Sequence, residues 1–136
     1  MPGYARSLQK GTSPALRAIV NAATVDNAVP VANSTGSSQM LRVGTMVAID
    51  IVAAAVGAGS TFDLNVWWWY EAAELWVLDS VIGTRTVTAA GGPVALPILN
   101  SPRYQCADAF YVRVFNFAGV GATATIWAAG RPAAAG

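Results

Sequence analysis

The chain has 136 residues, 54% of them apolar and only 11% charged, with a net charge of +1 from eight basic and seven acidic side chains. That length fits one domain with a core of its own, and that composition excludes a disordered chain. An ordinary soluble domain carries roughly 25% charged residues, so much of this surface lacks its usual charge and is expected to be covered by partners.

Seven of the eight basic residues are arginine and only Lys10 is lysine. Arginine suits interfaces because its guanidinium is planar and weakly hydrated. The basic residues form no patch or stripe, which argues against nucleic acid. Histidine is absent and Cys106 is the sole cysteine. The chain therefore lacks the commonest general base and metal ligand and cannot form an intrachain disulfide.

Residues 1–14 (MPGYARSLQKGTSP) mix Gly, Ser, Thr, Pro and charge. They read as an extended N-terminal arm, with Tyr4, Arg6 and Leu8 as the side chains that would hold a neighbour. No apolar segment marks a signal peptide there, so synthesis in the cytoplasm is expected. A β-domain is predicted over 15–130 and a flexible tail over 131–136.

The first strand is predicted at 18–25 (AIVNAATV), followed by a turn and a short extended piece at 28–32. Pro30 cannot donate to a sheet ladder, which makes that piece an edge or a crossing segment. Residues 33–38 (NSTGSS) read as a loop. Residues 40–53 (MLRVGTMVAIDIVA) read as one or two strands broken at Gly44. Val47, Ile49, Ile51 and Ala53 are assigned inward and Met46, Ala48, Asp50 and Val52 outward. Residues 54–60 read as a connection with room for a short helical turn. The apolar run at 46–59 is interrupted by Asp50 and is shorter than the roughly 20 residues of a membrane helix.

Residues 61–79 (TFDLNVWWWYEAAELWVLD) hold four of the five tryptophans. Phe62, Leu64, Val66, Trp68 and Tyr70 share one face, read as core; Asp63, Asn65, Trp67 and Trp69 share the other. Residues 71–74 turn the chain and 75–79 return it, a hairpin pattern. Further strands are predicted at 84–88, 94–99, 109–117 and 122–128, with Pro97 placing 94–99 at an edge. In 109–117 (AFYVRVFNF), Phe110, Val112 and Val114 face one way and Tyr111, Arg113, Phe115 and Phe117 the other.

Eight or nine short strands with Gly, Pro and Ser between them, and no helical periodicity, predict an all-β fold: an antiparallel β-sandwich, jelly-roll-like, with the arm extended from it. No catalytic constellation accompanies it. Glu71 and Glu74 sit in a turn, Asp63 and Asp79 face each other at most as a surface pair, and no phosphate loop or metal-ligand spacing occurs. The expectation is a protein that is not an enzyme and uses no cofactor or metal.

That leaves the aromatics. Trp67, Trp69 and Trp76, with Tyr111, Arg113 and Phe115, are the candidate interaction residues. Indole faces can stack on sugar rings, as in a carbohydrate-binding tail or fibre domain. The poverty of charge around them favours burial against protein.

The segments FDLNVWWWYEAAELWVLD (62–79) and ADAFYVRVFNFAGVGATATIWAAG (107–130) resemble small virion proteins of tailed bacteriophages. The first is similar to their strand–turn–Trp-strand hairpin and the second to their closing hairpin. The resemblance implies a β-sandwich or jelly roll that decorates a capsid or forms another head or tail part. It implies a homo-oligomer, often a trimer, bound to the major capsid protein on the virion surface, without nucleic acid or membrane.

Overall fold

The computed structural model describes residues 16–23, 40–44, 46–99, 104, 106–119 and 121–132. They form nine strands and no helix: β1 (Leu16–Ala23), β2 (Met40–Arg42), β3 (Met46–Val56), β4 (Thr61–Tyr70), β5 (Leu75–Leu78), β6 (Arg85–Thr88), β7 (Val94–Leu99), β8 (Ala109–Ala118) and β9 (Thr123–Pro132). A four-stranded sheet has the order β1-β9-β3-β7. A five-stranded sheet has the order β2-β8-β4-β5, with β6 also paired to β4. The two antiparallel sheets pack face to face as a β-sandwich.

The pairings nest. Strand β1 pairs with β9, β2 with β8, β3 with β7, and β4 with both β5 and β6. Strand β7 lies at an edge, which agrees with Pro97, a residue that has no N–H for a further neighbour.

The core follows the period of two. Ile49, Ile51 and Ala53 of β3 meet Phe62, Leu64, Val66 and Trp68 of β4, Phe110, Val112 and Val114 of β8, and Ala124, Ile126 and Ala128 of β9. Trp68 stacks on Tyr104, with centroids 5.3 Å apart and planes at 7°, and tilts against Phe110 at 5.7 Å. Gly44 takes φ +58 at the break between β2 and β3. Gly119 is required where the β8–β9 turn crosses the β3–β4 turn: a Cβ there would lie 2.7 Å from Ser60 Cα and 2.8 Å from the Gly59 carbonyl oxygen.

Three expectations are corrected. Val47 is exposed, whereas Met46 packs against the core. The β3–β9 register shifts between Met46 and Ala48, so the alternation inverts there. Gly130 makes the space, since a Cβ on it would come within 2.9 Å of Met46 Sδ. Phe117 turns inward and stacks on Phe62 at 5.8 Å. The β4–β8 register shifts between Thr61 and Asp63, and Asn116 sits at φ 55 within the extra step. A bulge of this kind changes which face the following residues occupy.

The third correction is the connection after β3. The strand continues to Val56, leaving a tight turn in which Ser60 N–H donates to the Gly57 carbonyl at 2.9 Å and Ser60 Oγ to the Val56 carbonyl at 2.8 Å. Strand β9 likewise runs on to Pro132, into the stretch expected as tail. The arm over 1–14, with Tyr4, Arg6 and Leu8, and the segments at 28–32 and 33–38 lie outside the described residues.

Candidate functional site

The outward face of the five-stranded sheet collects the aromatic residues singled out above. On β4 it carries Asp63, Asn65, Trp67 and Trp69. Register places Trp67 opposite Tyr111 of β8 and Leu78 of β5, and Trp69 opposite Ala109 and Trp76. Asn65 lies opposite Arg113 and Asp63 opposite Phe115. The six predicted site residues Trp67, Trp69, Trp76, Tyr111, Arg113 and Phe115 therefore share one face across three adjacent strands.

Their environments differ. Trp69 is on the outward side yet only 2% exposed, and Tyr111 is also buried. Trp67, Trp76, Arg113 and Phe115 are partly buried. Trp69 and Trp76 tilt against each other at 5.2 Å, and Trp76 meets Tyr111 edge-on at 6.0 Å, geometries that aromatic pairs favour. Trp67 Nε1–H donates to Asn65 Oδ1 at 3.0 Å, two residues back on the same face. The Arg113 guanidinium lies 4.2 Å over the Phe115 ring, a cation–π arrangement. By contrast, the buried indole N–H groups of Trp69 and Trp76 have no acceptor among the described residues.

The polar groups beside this face hold structure in place. Asp63 accepts from Thr86 Oγ1 at 2.6 Å and from Asn116 Nδ2 at 3.0 Å, tying β6 and the bulge to β4. Arg42 pairs with Glu71 at 3.3 Å, both exposed, a contact of little energetic weight. Asp79 does not face Asp63. It is fully buried and accepts Trp68 Nε1–H at 3.1 Å with Oδ2, and Val81 and Ile82 N–H at 3.1 and 3.0 Å with Oδ1. Asp79 closes an Asx-type turn after β5 and anchors the core tryptophan. The half-buried Tyr70 phenol is raised above its ordinary value by burial first, then by Tyr104, Cys106 and Asp79.

The sequence reads Asp79 as a surface acid, not a buried anchor, and does not show the exposure of β5. An Asp followed by Gly four residues later, straight after a strand, is a turn signal that points to Asp79. For β5 the signal is length: a strand of four residues facing one of ten.

Among the described residues no three of His, Cys, Asp or Glu gather as a metal site, and no helix is long and apolar enough to cross a membrane. The arrangement offers apolar and aromatic area for contact. No family model, curated protein or solved structure matches the chain.

Proposed function

We propose that the protein is a structural component of a virus particle, a capsid decoration (cement) protein of a tailed bacteriophage that bridges neighbouring subunits of the shell. One observation carries most of the weight: Leu75, Val77, Leu78 and Val81 are exposed together along one border of the aromatic sheet, in a chain only 11% charged. Apolar side chains left exposed along one strand border mark a contact with another macromolecule. Burying them yields about 25 cal/mol per Å2, which is how a cementing protein holds a shell. We read the nested strand pairing as a jelly-roll winding, an architecture also found in capsid domains. The fold lends less support than the surface, since one fold serves many functions.

A sugar platform needs an open indole face, and at 2% exposure Trp69 presents none. The carbohydrate reading then rests on Trp67 and Trp76, both partly buried.

The test is sedimentation of the purified chain with heads assembled from a tailed-phage major shell protein. Stoichiometric co-sedimentation is expected, lost on changing Leu78 or Val81 to Lys. A folded chain that stays in the supernatant overturns the reading, and a glycan array that then lights up moves the protein to the carbohydrate class.

A further inference from the structure

We propose that β5 is a self-association edge: a second copy adds its own β5 antiparallel across a two-fold axis, joining two five-stranded sheets into one. The inference rests on the reading of the chain as a protein that works by assembly, and it names the first partner as the chain itself.

The edge is open. Strand β5 ends its sheet beyond β4, and no described strand covers its far side. Its four residues, LWVL, contain no charge and no proline. Natural edge strands usually carry such features, which block pairing with another chain. Elsewhere in the molecule they are present: β7 holds Pro97 and follows Pro93, and β2 ends in Arg42. Exposure concentrates on the unprotected edge, with Leu75 at 54%, Val77 at 37%, Leu78 at 39% and Val81, just beyond, at 63%.

Charge says which occupant fits. Strands β5 and β6 lie end to end along β4, because Leu75 stands opposite Tyr70, Leu78 opposite Trp67 and Arg85 opposite Leu64. From the middle of β5, Arg85 is then about 15 Å away in one direction, at roughly 3.3 Å per residue. The turn carrying Glu71 and Glu74 lies on the other side, beginning about 8 Å from the middle by the same measure. A two-fold axis through the middle of β5 brings Arg85 of each copy to the end of the other that carries Glu74, within reach of a long side chain. Glu74 and Arg85 are both exposed. Glu74 has no ion pair among the described residues, and Arg85 uses Nε–H on the Ile82 carbonyl at 3.1 Å. Asp79, the other acid near this edge, is turned into the core. The edge is thus apolar in its centre and oppositely charged at its two ends, the self-complementary pattern an isologous interface requires.

The full chain at tens of micromolar should therefore run as a dimer by light scattering and native mass spectrometry, in place of the trimer that the resemblance implies. Val77→Lys should give a monomer with unchanged circular dichroism. Arg85→Glu should raise the dimer Kd about tenfold, the scale of two exposed ion pairs, and Glu74→Arg in the same chain should restore it. A monomeric or trimeric wild-type chain overturns the proposal. So does a dimer that neither Val77→Lys nor Arg85→Glu weakens in a folded chain. Loss of binding to heads with the dimer intact counts against the capsid reading alone.

Discussion

Trp68 and Trp69 are adjacent on β4 and almost equally hidden, at 0% and 2% exposure, but they stand on opposite faces of the sheet and are held by different means. The Trp68 indole packs between Tyr104 and Phe110 and gives its N–H to the buried Asp79 carboxylate. The Trp69 indole packs on Trp76, and its N–H has no acceptor among the described residues. A buried donor left unpaired costs about 1–3 kcal/mol. Trp68 is thus held by a hydrogen-bonded anchor, and Trp69 by ring packing.

The largest effect should come from removing the anchor. Asp79→Ala strips acceptors from Trp68 Nε1 and from the Val81 and Ile82 amides at once. Denaturant unfolding should show a loss of about 3–5 kcal/mol, as for other broken buried networks. Asp79→Asn separates the two halves of the anchor. Its remaining oxygen can serve the two amides while its Nδ2 meets the Trp68 donor head-on, so the loss should fall to about 1–3 kcal/mol. An Asp79→Ala protein within about 1 kcal/mol of wild type, below the usual cost of even one unpaired buried group, would erase the contrast between the two tryptophans.

How far the sequence discloses this contrast depends on the kind of information involved. The alternation over 61–70 specifies β4 to the residue, because an apolar face set against one that begins with Asp63 and Asn65 allows a single register. It also brings the outer aromatics together, since β8 alternates in the same way beside β4. It misplaces Val47 and Phe117 because a bulge adds one residue and inverts every side chain beyond it. Asn116 tolerates the left-handed conformation that the second bulge needs, but asparagine is equally at home in any turn. The burial of Trp69 and the open edge at β5 depend on which strands become neighbours, and local periodicity does not encode sheet order. Asp79 reads as the polar end of a strand until donors are seen converging on it from Trp68 and from the turn at Val81 and Ile82.

The next change acts on the donor side of the anchor. Trp68→Phe keeps an aromatic ring against Tyr104 and Phe110 but removes the N–H that Asp79 receives. Asp79 retains the two amides, so the cost should be smaller than for Asp79→Ala, about 1–3 kcal/mol from one lost hydrogen bond and a reduced ring. A cost equal to that of Asp79→Ala would mean that the indole bond holds the whole turn, and the two amides add nothing of their own.

The smallest effect is expected on the outer face, where the same substitution has opposing consequences. Trp69→Phe gives up ring area against Trp76, which is destabilising, and also removes a buried donor that has no acceptor, which is stabilising. The two nearly cancel, and the net change should stay within about 1 kcal/mol. Trp76→Phe should behave alike, for its Nε1–H is in the same position. The two rings lie 5.2 Å apart, so the double variant should depart from additivity by about 0.5–1.5 kcal/mol, the range for a coupled aromatic pair. If Trp69→Phe instead costs as much as Trp68→Phe, the outer indole donor has a partner after all. The distinction between an anchored inner tryptophan and a ring-packed outer one would then fail at the residue that defines it.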